Sequence, residues 1–185
     1  MLFYQKLQNY YLTYYKKIEM IITIIKRLLR YISTEIAKNQ MKLYGEGLMV
    51  NFPCKFTKKT IVGNNCHFNG IHVSGIGNVS IGNNFHSGKE CIIMTSYHNY
   101  DFGTKIPYDE GYISEDVIIE DNVWIGIRVI ILAGVIIGEG SIIQAGSVVV
   151  KDIPKYSIAG GHPAQVFKQR DVDHYEKLKS LNKFN

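Results

Sequence analysis

Glycine and proline are absent from the first 44 residues of this 185-residue chain. Without them nothing in the segment forces a turn, and it can run as helix. Cysteine is scarce: Cys54, Cys66 and Cys91 are an odd set without paired metal-type spacing. That argues against a disulfide framework and makes a reducing, cytoplasmic setting the expectation. The N-terminus is not expected to act as a secretory leader, because Met1 is followed by aromatics and amides and no small-residue cleavage site follows the apolar run. Neither sign of charge dominates, since 21 Lys and Arg against 16 Asp and Glu leave a formal +5. So small a balance suits nucleic acid, an anionic membrane surface or a phosphorylated cofactor without choosing among them. Basic residues are not clustered with aromatics on a nucleic-acid motif, so no nucleic-acid partner is expected. A hydrophobic content of 46% is ordinary for a globular chain, and the length fits one domain with a tail or cap.

In the glycine-free zone Ile18, Ile21, Ile22, Ile25, Leu28, Leu29 and Ile32 recur at helical spacing. Lys16, Lys17, Lys26, Arg27 and Arg30 flank or interrupt them. One or two amphipathic helices are expected, ending near Tyr44-Gly45. The apolar stretch is too short and too charged to span a bilayer. It reads either as a cap or arm over residues 1–55, or as an interfacial helix giving peripheral membrane contact through residues 14–32.

From about residue 60 to 163 the chain repeats. Counting in sixes from Ile113 gives Ile119, Ile125, Ile131, Ile137, Ile143 and Val149 without a break. Four residues after each lead position stand Val117, Val123, Val129, Val135, Ser141, Ser147 and Ile153. A helix cannot use a period of six, because successive positions drift around its surface. A strand of period two can, provided the chain turns once per hexad. Three short strands and three turns then close a triangular coil of about eighteen residues, and coils stack at roughly 4.8 Å. The β-branched lead residues fill the prism, and small residues and asparagine take the corners. A fixed period of this kind is the mark of an all-β solenoid. Upstream, Val62-Gly63-Asn64-Asn65 and Ile81-Gly82-Asn83-Asn84 share a pattern, and Gly75, Ile81, Ser87 and Ile93 keep one phase. Val62 and Phe68 sit one residue out of it, which predicts a one-residue bulge between Phe68 and Gly75.

Two interruptions stand out. Residues 95–112 are polar, aromatic and out of phase, as expected of a loop extruded from a corner. The repeat, taken as residues 56–163, closes at Ala159-Gly160-Gly161-His162-Pro163, and residues 164–185 read as a C-terminal helix or tail. A second apolar set, Ile118, Trp124, Ile130, Ile136, Ile142 and Val148, should point outward and stack coil on coil as ridges. Exposed ridges of that kind mark a partner or ligand groove, and a cyclic homo-oligomer would cover them.

The run Val117-Ile118-Ile119-Glu120-Asp121-Asn122-Val123-Trp124-Ile125-Gly126, the hexads behind it and the closing Ile158-Ala159-Gly160-Gly161-His162-Pro163-Ala164 resemble the hexapeptide-repeat acetyltransferases. These include enzymes acting on galactosides, maltose and surface polysaccharides. The resemblance implies a left-handed parallel β-helix, a homotrimer, acetyl-CoA as co-substrate, and active sites shared between neighbouring subunits; no metal is expected. It also implies a general-base histidine on the extruded loop, which here is His98. An acceptor hydroxyl must lose a proton as it attacks the thioester, and imidazole is a base available at neutral pH. The oxyanion needs donors, such as backbone N–H groups of a neighbouring coil. By the same resemblance the pantetheine arm should lie along Gly126, Ile127, Ala145 and Gly146, with Lys151 and Lys168 near the nucleotide phosphates. Either lysine reads equally as a solvated surface residue. Acceptor contacts are expected from Asn84, Tyr97, Asp101 and Trp124. Asn84 reads equally as a rung of a corner ladder, Asp101 as ordinary loop polarity or as the group orienting His98, and Trp124 as an interface aromatic.

The activity so implied is transfer of acetyl to a sugar hydroxyl of a glycan. N-acetylation of an amino-sugar nucleotide and acetylation of a streptogramin-type antibiotic are the alternatives. Two other classes compete. A γ-class carbonic anhydrase would bind zinc through histidines such as His67, His72 and His86, which read otherwise as turn or corner residues. A non-catalytic trimeric scaffold would leave the loop histidine idle.

Overall fold

A computed structural model describes residues 2–185 of the chain, and their side chains from Tyr14 onward. A helix, α1 (Leu2–Lys38), leads into a parallel β-solenoid, and a short helix, α2 (Val172–Ser180), follows it. The solenoid has three faces. The first stacks Leu43–Tyr44, Thr60–Val62, Val79–Ile81, Val117–Ile119 and Ile136–Ile137. The second stacks Met49–Val50, His67–Phe68, His86–Ser87, Trp124–Ile125, Ile142–Ile143 and Ser157–Gly161, and an antiparallel strand, Ala164–Gln169, closes it. The third stacks Ile71–Ser74, Cys91–Met94, Ile130–Ile131 and Val148–Val149.

The hexads explain the prism directly. Ile119, Ile125, Ile131, Ile137, Ile143 and Val149 are all buried, as are Val117, Val123, Val129 and Val135 between them. Each buried isoleucine stabilises the fold by about 1.5–3 kcal/mol relative to an exposed one. Ser141 and Ser147 take the same inward positions and are buried because their hydroxyls donate to the carbonyls of Pro154 and Gln144. The outward set falls in register as the period requires: Ile118 beside Ile136, Trp124 beside Ile142, and Ile130 beside Val148. Cys54, Cys66 and Cys91 are unpaired.

The structure departs from the hexad count in four places. Ile113 keeps the phase but not the place: it lies in a hairpin strand opposite Tyr97 and is half-buried, so the stack begins at Val117. The solenoid starts before residue 56, with Leu43–Tyr44 and Met49–Val50 already paired into it and Leu48, Val50 and Phe56 buried. Its inward residues Val50, Phe56, Val62 and Phe68 do recur in sixes, but in a different phase from the hexads downstream. The upstream irregularity is also not a single bulge before Gly75. His67 pairs with His86 but Ile71 with Cys91, so the corner before Ile71–Ser74 is one residue short. The corner after it, through Gly75 (φ +100°), makes up the excess. Finally, residues 164–169 turn back at His162-Pro163 as a strand, and only then does α2 begin, where the Asp171 side chain accepts the His174 N–H.

One corner of the prism is an asparagine ladder. Asn65, Asn84 and Asn122 occupy left-handed backbone conformations, with φ between 53° and 61°. Their side chains bond rung to rung at 2.9 and 2.8 Å. Asparagine tolerates this conformation better than other non-glycine residues. The ladder then carries α2: Asn122 donates to the Tyr175 hydroxyl at 2.8 Å, and that hydroxyl donates to Glu139 at 3.0 Å.

Candidate active site

The extruded segment is a hairpin rather than an open loop. Ser96–His98 pairs antiparallel with Tyr112–Ser114, placing Tyr112 directly across from His98. Its base is fastened at Thr95, whose hydroxyl donates to the Ser74 carbonyl at 2.9 Å and accepts the Gly77 N–H at 3.0 Å. Its tip is fastened by Asp109, which accepts the N–H groups of Thr104 and Gly111 at 2.9 and 2.8 Å. Those bonds favour the charged form and hold the Asp109 carboxyl below the usual carboxylate range.

Between base and tip, His98 is held between two rings. Tyr108 stacks on it with centroids 3.8 Å apart, and Tyr112 lies tilted at 4.3 Å. The Nδ1 atom of His98 is buried without a hydrogen-bond partner among the described residues. Neither tyrosine was foreseen. Tyr112 becomes legible once the hairpin register is known, whereas nothing in an aperiodic loop signals Tyr108. Tyr97 is half-buried beside Tyr100, and partial burial, with Glu115 nearby, raises its phenol above the ordinary value. Asp101 is exposed and makes no hydrogen bond to His98.

Four of the other expected residues come together. Trp124, Gly126, Ile127 and Ala145 line a mostly apolar groove of about 410 Å³ on the second face, with Ile158 and Phe167 as its far wall. Gly126 is required there by packing, because a Cβ at this position would lie 2.6 Å from the Ala145 nitrogen. Its own N–H is used, donating to the Ile143 carbonyl at 2.8 Å, and the Gly146 N–H donates to the Ile127 carbonyl at 2.8 Å. The N–H groups of Ile127 and Ala145 make no hydrogen bond among the described residues. These two amides, at the same corner of successive coils, are backbone donors left unengaged at the groove. Gly146 borders them in a left-handed conformation (φ +72°), with open space where a Cβ would point.

Trp124 is also a wall of a second groove, of about 420 Å³, between the second face and α2. Asn84, His86, Tyr175, Arg170 and Lys183 contribute to it. Asn84 has its side chain committed to the ladder on both sides. His86, weighed above only as a zinc ligand or a corner residue, lines this groove with its Nε2 buried and unpartnered among the described residues. Lys168 lies across from Ile158 in the closing strand and is exposed; Lys151 is exposed at a corner after the third face and lines neither groove.

The histidines that a zinc site would need are divided. His67 and His86 lie in successive strands of the second face with ring centroids 4.4 Å apart, whereas His72 is on the third face. All three are strand residues rather than the turn or corner residues expected.

Comparison with known proteins agrees with this geometry. A family model described as bacterial transferase hexapeptide (six repeats) matches residues 116–151. A galactoside acetyltransferase solved with coenzyme A has 27% identity and a TM-score of 0.67, covering 82% of each chain. A maltose O-acetyltransferase from Clostridium difficile has 32% identity and a TM-score of 0.53, covering 70% of this chain and 67% of that one. A hexapeptide-repeat acetyltransferase from Vibrio cholerae, solved with acetyl coenzyme A, has 27% identity and a TM-score of 0.64, covering 71% and 73%. Among curated sequences, a Schizosaccharomyces pombe protein named as a candidate acetyltransferase is 40% identical over 118 residues, 64% of this chain and 54% of that protein. The chain spans about half the length, or less, of the curated relatives it matches.

Proposed function

Given that this chain belongs to the hexapeptide-repeat acetyltransferase family, we propose that it transfers acetyl from acetyl-CoA to a sugar hydroxyl, with His98 as general base. The observation that carries this reading is the pairing of two features on one scaffold. One is a histidine held rigidly on a projecting hairpin. The other is an apolar groove between stacked coils with two unengaged backbone amides. A thioester substrate with a long pantetheine arm needs the second, and a hydroxyl nucleophile needs the first.

In the proposed reaction the acceptor oxygen attacks the thioester carbonyl carbon as His98 takes its proton. The tetrahedral oxyanion collapses, the C–S bond breaks, and the departing thiolate regains a proton from the imidazolium. No acyl-enzyme forms, so the site needs no serine or cysteine nucleophile. Stacking between Tyr108 and Tyr112 restricts the imidazole to one plane, which lowers the ordering required at the transition state. His98 lines neither groove of its own chain. The proposal therefore includes a cyclic trimer in which the hairpin of one subunit meets the Trp124 groove of the next, covering the apolar ridge Trp124–Ile142–Ile158. Trp124 borders both grooves, and its exposed indole is suited to stack on a sugar ring.

The test is thiol release from acetyl-CoA across a panel of glycosides, amino-sugar nucleotides and streptogramin-type acceptors. Activity confined to hydroxyl sugars supports the proposal. Transfer only to an amine or to the antibiotic replaces the acceptor class, and the absence of acetyl-CoA binding overturns it.

A further inference from the structure

The longest element of the molecule is also its least covered. From Tyr14 to Ile32 every side chain of α1 is exposed except Ile18, which is half-buried. The helix is attached to the solenoid near its C-terminal end. Ala37 is buried, the Thr34 hydroxyl accepts the Val50 N–H at 3.0 Å, and Arg30 Nε donates to Asn51 Oδ1 at 3.0 Å. Those three positions share one side of the helix. Ile18, Ile22, Ile25, Leu29, Ile32 and Ile36 recur at alternating steps of four and three, which places them about 130° round from the attachment side. The apolar stripe therefore faces away from the chain's own body, and no refolding of α1 on its present attachment would cover it.

Charge identifies what does. Residues 1–34 contain six of the 21 Lys and Arg but one of the 16 Asp and Glu. The whole formal charge of +5 therefore belongs to this arm, and residues 35–185 are balanced with fifteen of each sign. A second copy of the arm would bring like charges together with only Glu19 within residues 1–34 of each to offset them, the reverse of the opposite-sign flanks that a helical seam uses. Among the described residues no helix is long and apolar enough to cross a membrane. We propose that α1 lies in the plane of an anionic lipid surface, its isoleucine stripe inserted and Lys17 and Lys26, on either flank of the stripe, against the headgroups. The stretch 14–32 offers roughly 28 Å of amphipathic helix for this. With attachment and stripe on different sides, the solenoid stands off the surface and its grooves stay open.

The test uses the full chain and sedimentation with vesicles, one set of phosphatidylcholine alone and one containing about a third phosphatidylglycerol. The protein is expected to sediment with the anionic vesicles only, and less so as salt is raised. Ile25→Glu with Leu29→Glu abolishes sedimentation, and Lys17→Glu with Lys26→Glu weakens it by ~10-fold or more. All four side chains are exposed, so an unchanged circular dichroism spectrum is expected and would show that the fold is kept. Absence of binding to anionic vesicles, or binding indifferent to the Ile25 and Leu29 changes, overturns the proposal. If those changes instead alter the oligomeric state while vesicles are ignored, the stripe is an interface between copies.

Discussion

His98 and Tyr108 lie face to face, their ring centroids 3.8 Å apart and their planes 17° from parallel. The contact joins two residues ten positions apart in an aperiodic segment. It means that the orientation of the imidazole depends on a side chain with no chemical role of its own. If Tyr108 is a positioning residue, Tyr108→Ala should lower kcat by ~10-fold or more with little change in the KM for acetyl-CoA. Tyr108→Phe, which keeps the ring, should restore it. Equal loss in both variants would assign the role to the hydroxyl instead.

Removal of the base is a larger change. His98→Ala should reduce kcat by ~100- to 10,000-fold while acetyl-CoA binding, measured by calorimetry, stays near the wild-type value. An unchanged rate would take His98 out of the mechanism.

The proposed sharing of the site between subunits can be tested by mixing. Ala145→Trp fills the groove beside the free amide, and its subunits should fail to bind acetyl-CoA. Co-expression with His98→Ala subunits should recover part of the activity, because some interfaces then combine an intact hairpin with an intact groove. No recovery in a mixed population of confirmed trimers would place hairpin and groove of one subunit in the same site.

Two glycines at the groove should separate by mechanism. Gly126→Ala forces a Cβ to 2.6 Å from a backbone nitrogen, so it is expected to destabilise by about 1–3 kcal/mol. Gly146→Ala meets no atom within 4 Å and bears only the strain of its positive φ, of about 1 kcal/mol. Thermal melts of the two variants measure the difference.

The docking of α2 should loosen in acid. Burial opposes the charge on Glu139, but the Lys179 ammonium at 2.5 Å, with Tyr175 and Asn122, outweighs it and holds the carboxyl below its ordinary value. A depressed carboxylate stabilises the fold above its unfolded pKa of about 4.3, and the contribution is lost as pH falls through the lower folded value. Protease sensitivity between residues 170 and 180 should therefore rise below about pH 4, and Glu139→Gln should show much of that sensitivity already at neutral pH.

Much of this was legible in the sequence because inward positions of a prism cannot tolerate a break in period. From Ile119 to Val149 every sixth residue announces the coil, and the register of Trp124 on Ile142 follows by arithmetic. Legibility fails where spacing stops being physical constraint. Ile113 matched the period by coincidence, in a hairpin that owes nothing to the stack. The first coil went unread although Val50, Phe56, Val62 and Phe68 are buried at steps of six, because that phase is not the one counted from Ile119 onward. At the site, the groove residues Trp124, Gly126, Ile127 and Ala145 were reachable through the repeat, whereas the tyrosine sandwich depends on a hairpin register that hydrophobic pattern does not encode. His86 reads as a turn or corner residue because an outward strand position and a corner look alike in a segment whose phase has slipped.

The hairpin bearing His98 leaves the prism after the third face and returns to the first, and Val117 still pairs with Val79 as though nothing intervened. The stack is indifferent to what is spliced there, and the entropy of closing such an excursion grows only with the logarithm of its length. The appendage can thus lengthen, shorten or change its side chains without disturbing the groove between the coils. The scaffold behaves as a chassis, and the appendage as its interchangeable tool.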